Sequence, residues 1–118
     1  MGRLLLVRHG ESQANALRRF TESDRNPLSP LGREQAERTA SFLRAKFAPL
    51  RIVSSPFARA RETAEIIARA IAVPIEIESA LREQSLGLLH GQTFESALAT
   101  PGYDTLARWE WRSYPRQW

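Results

Sequence analysis

Leu4-Leu5-Leu6-Val7-Arg8-His9-Gly10-Glu11-Ser12 is the stretch from which the rest of the chain is read. Four consecutive apolar residues suit a strand covered on both faces of a parallel sheet. The run stops, without a spacer, at an arginine, a histidine and a glycine. In open α/β sheets ligands bind beyond the carboxyl ends of the strands, and His9 stands two residues past such an end. A neutral imidazole nitrogen can attack phosphorus and carry a phosphoryl group covalently. Arg8 supplies a fixed positive charge beside it. Gly10 lets the backbone approach closely, and the amides of the turn that follows can donate to phosphate oxygens. Three residues taken alone fit a histidine that merely closes a strand end equally well.

Working outward, the same grammar repeats. Glu11 to Ala16 can open a helical turn, and 18–30 is a polar loop with Asp24, Asn26, Pro27 and Pro30. Ser29 reads as an N-cap with Pro30 at the first helical position. The helix it starts is predicted over about Pro30 to Phe47, with Ala36, Ala40, Leu43 and Phe47 on one face and Pro49 ending it. Arg51 to Ser54 is a second strand. Ser55-Pro56 again suggests a cap and a helix, over about Pro56 to Ile71, with Phe57, Ala60, Ala64, Ile67 and Ile71 inward. Val73 to Glu78 alternates apolar and charged residues, a third strand with one exposed face, and Pro74 marks its start or a sheet edge. Strand, helix, strand, helix, strand predicts an α/β fold: three layers, α/β/α, about a mainly parallel sheet with right-handed crossovers. Beyond it, Ala80 to Gln92 reads as a loop, and Phe94 to Ala99 and Thr105 to Trp111 as short helices separated by Pro101-Gly102. The last ten residues hold all three tryptophans; they either pack on the core or lack their partners.

Composition narrows the class. A chain of 118 residues is a single domain, 1–118. Hydrophobic content of 42% and charged content of 25% are those of a soluble globular protein. With no cysteine there is no disulfide framework and no thiolate zinc site, and two histidines argue against a histidine-rich metal site. The N-terminal apolar run is too short for a signal peptide, Leu6 stands where a myristoylation signal wants Ser or Thr, and nothing approaches membrane-spanning length. A cytoplasmic location is the default. Net charge is +4, and all of the seventeen basic residues except Lys46 are arginine. They are interleaved with Glu and Asp along the chain, which makes no footprint for nucleic acid, but arginine suits bidentate contact with small anions.

Two more segments follow strand ends. In Ser54-Ser55-Pro56-Phe57-Ala58-Arg59-Ala60-Arg61-Glu62-Thr63-Ala64, Arg59 falls in the first helical turn, where the macrodipole disfavours a cation unless an anion lies between them. Arg61, about 200° further round, should face solvent or pair with Glu65. In Leu81-Arg82-Glu83-Gln84-Ser85-Leu86-Gly87, the Glu83 carboxyl could protonate a leaving alcohol oxygen if burial raised its pKa; otherwise it is an ordinary loop glutamate. Asn15, six residues beyond His9, could bond a phosphate oxygen or orient the imidazole, or simply serve a turn or cap. His90 has no assignable partner.

Together these segments resemble the N-terminal portion of the histidine phosphatase superfamily, in the branch of cofactor-dependent phosphoglycerate mutases and related phosphatases. The resemblance rests on Leu5-Leu6-Val7-Arg8-His9-Gly10-Glu11 with Asn15; Phe20-Thr21; Pro27-Leu28-Ser29 with Gly32 and Gln35-Ala36; Ser54-Ser55-Pro56 with Arg59-Ala60 and Thr63-Ala64; and Leu81-Arg82-Glu83 with Gly87 and Gly91. It implies that His9 is the phosphohistidine nucleophile, that Arg8 and Arg59 clamp the transferring phosphoryl group, and that Glu83 donates the proton to the leaving group. Asn15 and Thr21 match phosphate and substrate contacts, although Glu22 replaces the glycine common after that threonine. The implied partner is a phosphorylated small molecule, with no nucleic acid and no membrane. No metal or other cofactor is required, because arginines supply the positive charge. Mutase and phosphatase remain alternatives.

The sequence also departs from the pattern. The family's site contains a second, late histidine, and here none follows His90; from Ser113 onward the resemblance stops. The expectation is a fold incomplete at its C-terminus, through truncation, a frameshift or fragmentation. Such a chain would have impaired activity and open edges and apolar surface that favour self-association. A non-catalytic phosphate-ligand binder, or an interaction module using the aromatic tail or the charge, would explain the same residues without turnover.

Overall fold

The computed structural model describes residues 2–21, 23–49, 51–83, 91–97 and 99. Its elements in order are α1 (Gln13–Ala16), α2 (Pro30–Lys46), β1 (Ile52–Ser54), α3 (Ala58–Ile71), β2 (Ile75–Ile77), a 3-10 turn (Ser79–Leu81) and α4 (Phe94–Ala97). The class is α/β. β1 and β2 are parallel, in register Ile52 with Ile75, Val53 with Glu76 and Ser54 with Ile77, and α3 is the crossover between them.

Ser29 caps α2 as its sequence predicts. Its hydroxyl accepts from the Gly32 amide at 3.1 Å, and Pro30 occupies the first turn without costing a bond. The helix buries Ala36, Ala40 and Leu43 and lies along α3. Ala40, Leu43 and Ile67 form the centre of the core, with Phe47, Ile52, Ile66, Ala70 and Ile71 packed around them. α3 closes at Ala72, which takes the left-handed conformation (φ 56°).

The start of α2 is pressed onto the segment after His9. A Cβ on Gly32 would fall 1.9 Å from the Glu11 carbonyl oxygen, and one on Gly10 2.3 Å from the Gly32 oxygen. Glycine at both places is what lets the two backbones touch. The Ser29 amide donates to the Glu11 carbonyl at 2.9 Å, and the Ser29 hydroxyl to the Glu11 carboxylate at 2.6 Å. A single antiparallel bridge, Ser12 with Leu28, continues the contact.

Two expectations are corrected. Residues 4–7 form no strand: Leu4 and Leu6 are 84% and 89% exposed, and no ladder hydrogen bond reaches them. An apolar run becomes a strand only where a neighbour offers a ladder and a covering face, and among the described residues β1 and β2 pair only with each other. Nor does Ser55-Pro56 start a helix. The Ser55 hydroxyl accepts from the Phe57 amide at 3.2 Å, a local turn, and α3 begins at Ala58 with no side-chain cap. The Asp24 carbonyl takes that role, accepting from the Ala58 amide at 2.7 Å. No helix among the described residues is long and apolar enough to cross a membrane. His90, Gly87, the expected helix at 105–111 and the aromatic tail lie outside the described residues.

Candidate active site

Three of the residues singled out from the sequence meet beyond the carboxyl ends of β1 and β2. His9 enters from the segment before α1, Arg59 from the first turn of α3, and Glu83 from just past the 3-10 turn. The Arg59 side chain is only 4% exposed. Its Nη2 donates to Glu83 Oε2 at 2.5 Å, its Nη1 to the Ser23 carbonyl at 3.1 Å, and its guanidinium lies 5.0 Å from the centre of the Phe57 ring. A buried guanidinium held by these three partners is a fixed charge.

Glu83 joins the other two. Its Oε1 lies 3.6 Å from His9 Nε2, and half of its side chain remains open to solvent. The neighbouring His9 ring first, and then the Arg59 guanidinium, bring its carboxyl down to about 2, against the opposing effect of partial burial. Beside His9 and Arg59, Glu83 is therefore a carboxylate, the reverse of the raised pKa that the sequence reading required of a proton donor.

His9 has a defined tautomer. Its Nδ1 lies 2.6 Å from the Gly10 carbonyl oxygen, which can only accept, so Nδ1 carries a proton. When the ring is charged, Nε2–H faces Glu83. When it is neutral, Gly10 retains the Nδ1 proton and the bare lone pair is on Nε2, the nitrogen turned towards Glu83. Gly10 is held by α3: its amide donates to Thr63 Oγ1 at 3.1 Å, and that hydroxyl donates to the Arg59 carbonyl at 2.8 Å. Thr63 thus ties the His9 segment to the turn that carries Arg59.

The other candidates do not join the cluster. Arg8 is exposed and makes no hydrogen bond or ion pair among the described residues. Asn15 Oδ1 accepts from the Ser12 amide at 3.1 Å and the Ser12 hydroxyl at 2.9 Å, which is a capping box for α1. Thr21 Oγ1 accepts from the Ser23 amide at 3.0 Å. Arg61 pairs with Glu65 at 3.6 Å, as its helical spacing predicts. Among the described residues no group of three or more His, Asp or Glu could hold a metal ion. Sequence reasoning missed Thr63, Gln35 and the Ser23 carbonyl as supports of the site. The first two stood in quoted motifs, but a backbone acceptor leaves no mark in a sequence.

The geometry has counterparts. The chain matches the histidine phosphatase superfamily (branch 1) over residues 4–117. It belongs to that superfamily. This histidine phosphatase chain is 42% identical over 115 residues to the glucosyl-3-phosphoglycerate phosphatase of Mycolicibacterium vanbaalenii, covering 97% of itself and 49% of that protein. It is 42% identical over 97 residues to the probable phosphoglycerate mutase GpmB of Escherichia coli, covering 81% and 44%. Among solved structures it is similar to a mycobacterial glucosyl-3-phosphoglycerate phosphatase complexed with VO3 (TM-score 0.75, 33% identity, 85% of this chain and 48% of that one). It is also similar to the phosphoserine phosphatase of Entamoeba histolytica in complex with 3-phosphoglyceric acid (TM-score 0.72, 28% identity, 86% and 50%). The chain spans about half the length of the curated relatives it matches.

Proposed function

We propose that the chain carries the nucleophilic half of a phosphomonoester phosphatase or phosphoglycerate mutase-like site. His9 accepts the phosphoryl group, Arg59 and Arg8 clamp it, and Glu83 serves the leaving oxygen. The observation that carries the reading is the convergence of His9 Nε2, the buried Arg59 guanidinium and the Glu83 carboxylate, with Nδ1 already committed to Gly10. Relatives named for glucosyl-3-phosphoglycerate and phosphoglycerate support a phosphorylated small molecule as substrate.

The proton inventory gives the steps. An ionised Glu83 is no acid, and whenever His9 carries its second proton, on Nε2 facing Glu83, the ring is no nucleophile. A phosphate dianion that takes over Arg59 removes the charge holding Glu83 ionised and adds negative charge beside it; both raise the carboxyl's proton affinity. Moving the proton from Nε2 to Glu83 then creates nucleophile and acid together. Nε2 attacks phosphorus, the P–O ester bond breaks, and the Glu83 proton goes to the departing oxygen. In the second step Glu83 takes a proton from water, or from an acceptor hydroxyl, that attacks the phosphohistidine and frees His9. Asn15 and Thr21 are proposed to turn to the substrate once it is bound. Residues 1–118 are read as one phosphoglycerate mutase-like unit in the cytoplasm, and the exposed 4–7 run as a surface through which copies self-associate.

Incubation with a radiolabelled phosphomonoester tests the reading. It should leave an acid-labile, base-stable label that disappears in His9→Asn. Glu83→Gln should slow labelling by an alkyl phosphate about 10²-fold and labelling by an aryl phosphate much less, because a phenolate leaves unaided. Absence of label, with phosphate still bound through Arg59, would favour the non-catalytic binder.

A further inference from the structure

Gln35 takes no part in the cluster just described, yet its side chain reaches the peptide that governs the nucleophile. It lies in the second turn of α2, and its Oε1 accepts from the Glu11 amide at 2.8 Å. That amide belongs to the Gly10–Glu11 peptide unit. In a trans peptide the N–H and the C=O point in opposite directions, so a partner that fixes the Glu11 N–H also aims the Gly10 carbonyl. This carbonyl is the atom 2.6 Å from His9 Nδ1.

The neighbouring peptides have their own supports. The Gly10 amide is held by Thr63 and the Glu11 carbonyl by the Ser29 amide. Among the described residues, the peptide between them has Gln35 alone as the partner of its amide. With glycine on one side, the peptide has no Cβ at position 10 to fix its orientation, and a rotation would turn the carbonyl away from the imidazole.

We propose that Gln35 is a positioning residue: by holding the Glu11 amide it keeps the Gly10 carbonyl on His9 Nδ1, and so keeps Nε2 as the lone-pair nitrogen. The tautomer assignment stands on geometry alone; its importance for phosphoryl transfer rests on His9 being the nucleophile, as proposed above.

The test reads the tautomer directly and needs no turnover. The chain has two histidines, so a His90→Gln background labelled with ¹⁵N-histidine reports His9 alone. At about pH 9, above the range where imidazoles titrate, the His90→Gln chain should show a protonated Nδ1 and a bare Nε2. Gln35 is exposed, so its replacement removes no core volume. Gln35→Met, which has no acceptor for the amide, should raise the Nε2–H population several-fold. Gln35→Glu, which keeps an acceptor oxygen at the same reach, should restore the original pattern. A protonated Nε2 in the parent, or ring nitrogens unchanged in Gln35→Met, would overturn the proposal. If Gln35→Met altered the amide spectrum beyond the site, Gln35→Asn, too short to reach Glu11, replaces it under the same criteria. A correct tautomer with no phosphohistidine on any substrate would sink the proposed function and leave this inference standing.

Discussion

Glu83 couples the site to stability at the scale of a single residue. Its carboxyl is brought from the ordinary 4.5 to about 2 in the folded chain. Between these values the unfolded chain binds the proton and the folded one does not, so stability rises with pH through that window. The contribution is complete above about pH 5 and is lost as pH falls towards 2. Half of the side chain is in water, so screening reduces the stabilisation to about 1 kcal/mol. Urea titrations across this range should show a steeper acid-side loss for the parent chain than for Glu83→Gln. Equal slopes would mean that the His9 and Arg59 contacts of Glu83 contribute nothing in solution. The grouping of His9, Arg59 and Glu83 was expected from the family resemblance, although the strand over 4–7 that was to place His9 does not form. Glu83's ionised state was not, because it depends on which side chains surround it, and a sequence carries no distances.

At the scale of elements, the crossing of α2 over residues 10–11 decides how the His9 segment is held. Gly32→Ala would place a methyl group 1.9 Å from the Glu11 oxygen, an approach that only backbone displacement relieves. The expected cost is about 2 kcal/mol or more, with loss of the Ser29–Glu11 bonds, measurable as a lowered urea midpoint at unchanged slope. An unchanged midpoint would mean the two backbones lie further apart than described. The helices themselves were largely legible. Ser29-Pro30 set the start of α2 because its cap is local, and the apolar faces of both long helices follow the helical period. The start of α3 was misread because its capping carbonyl comes from Asp24, more than thirty positions earlier in the chain.

At the scale of the molecule, residues 4–7 show the limit of pattern reading. Their composition is that of a core strand, but burial depends on what lies against a segment, and here Leu5 and Val7 are only partly covered while Leu4 and Leu6 stand in solvent. Leu4→Gln and Leu6→Gln should therefore change the stability of the 118-residue chain by no more than about 0.5 kcal/mol. Sedimentation at high concentration should show less association for either variant than for the parent. A loss of several kcal/mol would show instead that the run is packed in solution.

The loop before α2 touches α3 at two consecutive carbonyls, Ser23 on the Arg59 side chain and Asp24 on the Ala58 amide. The first bond is made by a side chain, the second by a main-chain amide. Shortening Arg59 would therefore free the Ser23 carbonyl and leave the Asp24 carbonyl fastened to the start of α3, so the loop has one attachment that depends on a candidate site residue and one that any residue at position 58 other than proline would keep.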